Sequence, residues 1–181
     1  MKAKIPLTAK ELFEMGDIGP CELVKGELIM MSPTGARYGK IAAKITRIVG
    51  TYVEAHPLGV VCTAEAGFLL SSDPDMVRAP DVAFVSKKRI PPEGEPDEFW
   101  PFAPDLAVEV VSPTDRWSDI EAKGEEYLQA GTGLVWVVDP KTKTVHAYRL
   151  PSEVQILHET DTLTGGEVLP GFQVAVAELF V

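Results

Sequence analysis

Residues 105–111, Asp-Leu-Ala-Val-Glu-Val-Val, followed after a helical stretch by residues 134–139, Leu-Val-Trp-Val-Val-Asp, constrain this chain more than any other part of it. Continuous apolar blocks, rather than alternating ones, are what strands covered on both faces require. A helix between two such strands is the connection that parallel neighbours use, so the pair predicts an α/β core with a parallel step. One residue breaks the pattern. Glu109 sits inside the first block, where an ionised carboxylate costs several kcal/mol unless a cation, a metal or a proton compensates it.

The remaining elements follow from local signals. Thr8 and Glu11 form a capping box that opens a helix over residues 8–15. Residues 21–24 and 27–31 flank Lys25-Gly26 and read as a hairpin. Ile41, Ile45, Ile48, Val49 and Tyr52 recur at helical spacing within residues 36–54. Residues 59–70 are strand-like with a break near 64–67, a turn covers 71–75, and a short apolar strand runs over 81–85. Residues 90–104 hold five prolines with Phe99, Trp100 and Phe102, which predicts a loop pinned by its aromatic rings. After the 105–111 strand come a helix over 116–130 and strands over 134–139, 144–150, 154–158 and 172–176.

These elements predict one mixed α+β (α/β) domain. Its central mixed sheet is flanked by helices in the core order α-β-β-β-α-β. Residues 1–34 form an N-terminal helix and hairpin arm, 35–140 the core, and 141–181 a C-terminal β extension. A chain of 181 residues that is 45% hydrophobic can bury such a core without a disulfide or metal staple. Cys21 and Cys62 stand far apart with no CxxC, so two buried free thiols in a reducing cytosol are expected. Single, scattered His56, His146 and His158 read as structural. No 18-residue apolar run occurs and the start of the chain lacks an apolar leader, which predicts a cytoplasmic protein with no membrane partner.

Charge narrows the function. Lys and Arg number 17 against 27 Asp and Glu, a formal net charge of −10. That argues against a chain that coats nucleic acid or anionic membrane with its whole surface. It leaves room for a local basic surface, or for carboxylates gathered around a cation.

Period-two alternation puts Asp105, Ala107, Glu109 and Val111 on one face, with Glu109 near the carboxyl end of its strand, where α/β sheets place their sites. Asp81, after Pro80, opens the neighbouring apolar strand. Alone it is equally a strand-end turn residue; paired with Glu109 it suits a hard divalent cation such as Mg²⁺. Ile120, Lys123 and Tyr127 fall at i, i+3 and i+7, so Lys123 belongs to the helical stripe that faces the sheet. From there its ammonium could offset the carboxylates and orient a water or a phosphate. The alternative for Lys123 is an exposed pair with Asp119. Glu65, at the strand break, is a third candidate ligand and equally a bulge or surface residue. Tyr127 and Gln129 read as packing and capping residues.

Between residues 36 and 53 there is no acid, while Arg37, Lys40, Lys44 and Arg47 recur every three or four residues. Lys87-Lys88-Arg89 follows the Asp81 strand. These are either a solvated face or a track for phosphates. No base-reading module is visible.

The stretches ELVKGELIMMSPTG, RAPDVAFVS, PDLAVEVVSPTDR, GLVWVVDP and LPGF, with Lys123 and Tyr127, resemble the Uma-type restriction endonuclease family of the PD-(D/E)XK nuclease superfamily, over nearly the whole chain. The resemblance implies a restriction endonuclease-like fold and a Mg²⁺- or Mn²⁺-dependent hydrolysis of DNA phosphodiesters. By position, Asp81 and Glu109 are the motif acids and metal ligands. The motif lysine slot holds Val111, and Lys123 on the helix takes its place. The family often has histidine where this chain has Tyr38. A homodimer is the expected assembly, with the hairpin, the loop around Trp100 and the C-terminal strands (Phe172 and Phe180) offering apolar surface. Two alternatives stay open: an inactive endonuclease-like scaffold that binds DNA or protein, and a phosphohydrolase of small ligands.

Overall fold

The computed structural model describes residues 5–150 and 153–181. The basic start of the chain, residues 1–4, lies outside the described residues. Helix α1 (Ala9–Glu14) begins as its capping box requires: the Glu11 carboxylate accepts the Thr8 amide at 2.8 Å, and Thr8 Oγ1 accepts the Glu11 amide at 3.2 Å. Strands β1 (Cys21–Val24) and β2 (Glu27–Met30) pair antiparallel. Their turn is made by Lys25 and Gly26 at φ 51° and 77°, the left-handed pair whose twist matches a two-residue hairpin.

Helix α2 (Ala36–Ala55) buries Ile41, Ile45, Val49 and Val53, while Ile48 and Tyr52 are only partly covered. Then follow β3 (Gly59–Thr63), β4 (Phe68–Ser71), β5 (Met76–Arg78), β6 (Val82–Ser86), β7 (Leu106–Val110), α3 (Trp117–Gln129) and β8 (Leu134–Asp139). The chain ends through β9 (Thr144–Arg149), β10 (Glu153–Leu157), β11 (Thr162–Thr164), β12 (Gln173–Ala175) and a short 3-10 turn at Val176–Leu179.

The main sheet has the order β10-β9-β8-β7-β6-β3. The β7–β8 pair is parallel, with α3 as its crossover, and the other neighbours in this sheet are antiparallel. A second sheet, β2-β1-β5-β4, takes in the N-terminal hairpin. Leu23 pairs with Val77, so the hairpin is hydrogen-bonded into the body of the molecule rather than standing free. The break at residues 64–67 therefore marks a change of sheet, from β3 in one to β4 in the other. Strand β5 is three residues long and follows a turn, too short to leave a periodic signal.

Alternation along β7 divides the core. Leu106, Val108 and Val110 join Ile41, Ile45 and Val49 of α2, with Trp136, Phe172 and Val174. Ala107 faces the other way, against Ile120, Tyr127 and Leu128 of α3. Glu109 is on that α3 side, and all five β7 residues are buried.

Trp100 stacks on Phe68 and is buried, as is Phe172. Both serve the core instead of offering free apolar surface: the proline loop folds back and hydrogen-bonds to β4 through Trp100 and Leu69, and Phe172 packs against Trp136 and Tyr52. The exposed apolar residues of the hairpin region are Ile29, Met30 and Met31. Cys21 and Cys62 are free, and half-buried rather than fully buried. His56 stacks on Tyr52, and His146 lies against Trp117. Among the described residues no helix is long and apolar enough to cross a membrane.

Candidate active site

Two carboxylates meet where β6 starts and β7 ends. The antiparallel register pairs Val82 with Val108, and one step further it sets Asp81 opposite Glu109. Asp81 Oδ2 accepts the Val110 amide at 2.7 Å, a bond that fixes its side chain at the sheet end. Burial pushes the Asp81 carboxyl above its usual range, opposed by the Tyr38 hydroxyl and that amide. Tyr38, in the first turn of α2, directs its hydroxyl at Asp81; burial, and then the charge of Asp81, hold that hydroxyl protonated.

Glu109 is 5% exposed. Its Oε1 accepts from Tyr127 at 2.8 Å and lies 2.9 Å from Lys123 Nζ. Burial pushes its carboxyl up to about 7; Lys123 opposes this, and the neighbouring charges of Asp81 and Glu22 add to it. Helical spacing explains Lys123 and Tyr127. They are i and i+4 on the buried stripe of α3, so both tips reach the same strand. Lys123 is 9% exposed and pairs with Glu109 rather than with Asp119. Tyr127 does more than pack: its hydroxyl is a donor to Glu109, because the stripe that carries Lys123 carries it too.

A third carboxylate comes from the N-terminal hairpin. Glu22 on β1 is 3% exposed, and its Oε1 lies 2.9 Å from the same Lys123 Nζ. Its Oε2 takes Arg78 of β5 at 2.6 Å, and the Ala79 amide donates to Oε1 at 3.1 Å. Arg78 also forks onto Glu126 of α3, with Nε at 3.0 Å. Burial works against the Glu22 charge, but Lys123 and Arg78 hold its carboxyl below the usual range. Burial likewise works against the Lys123 charge, and Glu109 and Glu22 outweigh it, keeping the ammonium charged. Sequence reasoning missed Glu22, Arg78 and Glu126. The available signal was Glu22 itself, an acid between Cys21 and Leu23 in a short apolar strand, the same anomaly that Glu109 presents.

Glu22, Glu109 and Glu126 thus share two cations, Lys123 and Arg78, and with Asp81 nearby the cluster keeps a deficit of positive charge. Glu109 Oε2 takes no hydrogen bond or ion pair among the described residues, while Asp81 accepts from both the Val110 amide and the Tyr38 hydroxyl. Among the described residues no group of three or more His, Cys, Asp and Glu is arranged to hold a metal. Two acids do meet here, and Mg²⁺ is a cation that keeps several waters and takes one or two carboxylates along with substrate phosphate. Mn²⁺ accepts the same oxygen donors.

Glu65 does not join the pair. It sits on the exposed turn after β3, accepts from Thr63 at 2.8 Å, and lines an apolar cavity of about 660 Å³ with Phe13, Val77 and Phe99. Val77 and Leu23 share the face of the second sheet opposite Glu22 and Arg78, so the cavity and the carboxylate cluster lie on opposite sides of that sheet.

The basic residues divide in two. Arg37 and Lys40 flank Tyr38 at the start of α2, and Arg37 donates to the Pro140 carbonyl, just past the end of β8 beside the end of β7. Lys44 and Arg47 continue along α2, the latter about 14 Å beyond Tyr38 by helical rise. Lys87 and Lys88 follow the far end of β6, about 20 Å from Asp81 by strand rise, because the strand runs away from the site. Arg89 is committed to Asp105 at 3.2 Å and to the Phe102 ring.

The fold is that of a nuclease-like α/β protein. The model of the Uma2 family, described as "Putative restriction endonuclease", matches residues 10–177, and the chain belongs to that family. The crystal structure of a "putative nuclease" from Anabaena variabilis superposes with a TM-score of 0.84 at 20% sequence identity, covering 97% of this chain and 98% of that one. At that identity the likeness shows a shared fold. No curated protein matches the chain.

Proposed function

We propose that this protein is a divalent-cation-dependent nuclease that hydrolyses phosphodiester bonds of DNA at Asp81, Glu109 and Lys123. The observation that carries this reading is the half-buried Asp81 set across from buried Glu109, with the Lys123 ammonium 2.9 Å from Glu109. Such an arrangement is costly for stability alone and becomes useful when a cation and a phosphate arrive. Asp81 and Glu109 would hold the ion. Mg²⁺ or Mn²⁺, when bound, lowers the pKa of water and neutralises charge on phosphate oxygens.

The chain's own groups do the rest. Tyr38 and the Val110 amide fix Asp81, and Tyr127 fixes Glu109 through Oε1, so the remaining carboxylate oxygens are presented in one orientation. Lys123 stays charged and donates to a non-bridging phosphate oxygen or to the attacking water, where charge develops in the transition state. Arg37 and Lys40, at the same end of the sheet, would hold flanking phosphates, and Lys44 and Arg47 would extend that track.

One observation favours a second reading, a catalytically inactive scaffold that binds DNA or protein: Val111 occupies the slot where the PD-(D/E)XK pattern has lysine. Cleavage of plasmid, single-stranded and branched DNA with Mg²⁺, Mn²⁺ or chelator separates the two. The nuclease reading expects cleavage that needs the ion and that Glu109→Ala abolishes without loss of fold. Binding without cleavage under every condition would establish the scaffold.

A further inference from the structure

Lys123 has two anchors, and they are not equivalent. Its Nζ lies 2.9 Å from Glu109 Oε1 and 2.9 Å from Glu22 Oε1. Glu109 stands opposite Asp81 and has one oxygen to spare. Glu22 has none, because Arg78, the Ala79 amide and Lys123 take up both of its oxygens. Arg78 in turn is tied to Glu126, one turn along α3 from Lys123 itself. The hairpin, β5 and α3 are therefore clamped together around the lysine.

On the nuclease reading, a problem arises that Glu109 alone cannot solve. A cation held by Asp81 and Glu109 neutralises the charge that attracts Lys123, and its repulsion of the ammonium adds to the effect. A lysine held only by Glu109 would be driven off as the site filled. We infer that Glu22 is the positioning residue of this site: it keeps the Lys123 ammonium at the centre when the charge of Glu109 is taken up by a cation. This rests on the nuclease reading for its purpose, but the anchoring itself can be measured without cleavage. It also gives the N-terminal hairpin a part in the reaction, since β1 carries Glu22 and joins the hairpin to β5.

The test uses the full chain with ¹³C-labelled lysine and NMR relaxation at Lys123 Cε. Glu109→Gln mimics the neutralised carboxylate with no metal present. In that variant Lys123 should remain as ordered as in the wild type, because Glu22 still holds it. In the Glu22→Gln/Glu109→Gln double variant it should become mobile. A Lys123 that is mobile in Glu109→Gln, or ordered in the folded double variant, overturns the proposal. Should the double variant not fold, Glu22→Gln titrated with Mg²⁺ replaces it: Lys123 should become mobile as the ion binds, and an order unchanged by bound ion overturns the proposal.

Kinetics supply the second arm. Glu22→Gln should lower kcat about tenfold to a hundredfold, with KM and Mg²⁺ affinity within about threefold of wild type. A purely structural tie would leave kcat of the folded fraction unchanged, and that result would also refute the inference. If the wild type neither binds Mg²⁺ nor cleaves DNA, the nuclease reading fails while the relaxation result still decides whether Glu22 anchors Lys123.

Discussion

Asp81 stands across the antiparallel β6–β7 pair from Glu109, yet its carboxylate is bonded to the amide of the next residue, Val110. With this bond Asp81 is not a loose turn residue but a half-buried side chain fixed at the sheet end beside the buried Glu109. Replacing it by Asn keeps an oxygen for the Val110 amide and removes the charge. Asp81→Asn should therefore fold with a normal circular dichroism spectrum while its metal-dependent cleavage rate drops on the order of a thousandfold, as loss of several kcal/mol of charge stabilisation implies.

Lys123 is the cation on which two buried carboxylates depend. Lys123→Met leaves Glu22 and Glu109 facing each other with only Arg78 nearby. Breaking a buried pair in this way costs about 3–5 kcal/mol, and urea unfolding at neutral pH should show a loss of that size. Lowering the pH should recover part of it by protonating Glu109.

Glu109 makes the metal-free protein pH-sensitive in a direction opposite to that of Glu22, because at Glu109 burial outweighs the pull of Lys123. Its carboxyl is raised to about 7 in the folded state, so between about pH 4.5 and 7 the folded chain holds a proton that the unfolded chain has lost. Stability from this group is full below that window and is lost as pH rises through it. The difference in unfolding free energy between wild type and Glu109→Gln should accordingly fall across the window and level off above it. A difference that stays flat, followed by thermal or urea unfolding at each pH, would show that Glu109 ionises normally.

The basic residues should separate by position. Arg37→Gln/Lys40→Gln removes two charges at the site end of the sheet, and should reduce the slope of log affinity against log salt for DNA by about 2. Lys87→Gln/Lys88→Gln, at the opposite end of β6, should leave that slope unchanged. Fluorescence anisotropy with a labelled duplex over a salt series checks both.

What was legible in the sequence depended on range. The 3.6-residue stripe of α3 is a local pattern, and it placed Lys123 on the buried face before any contact was known. Glu109 announced itself because a charge inside an apolar block has to be compensated. Glu22 carried the same mark more faintly, in a four-residue strand, and its partners Arg78 and Lys123 are distant in sequence, so no spacing rule could connect them. The second sheet was invisible for a related reason: β5 has three residues, too few to show a period, and its link to β1 joins residues far apart in sequence, Leu23 and Val77. Lys87 and Lys88 were drawn toward Asp81 by closeness in sequence, although the five residues of β6 between them are extended and carry them away. Trp100 and Phe172, read as spare apolar surface, are used up inside the core.

The most direct test is calorimetric titration of Mn²⁺ into metal-free wild type, Asp81→Asn and Glu109→Gln at pH 6 and pH 8. One ion per chain should bind to the wild type, more tightly at pH 8 and with release of a proton at pH 6, where Glu109 is still protonated. Both variants should show little or no binding. A wild type that binds no ion, or a Glu109→Gln variant that binds it equally well, would contradict the assignment of Asp81 and Glu109 as a cation site.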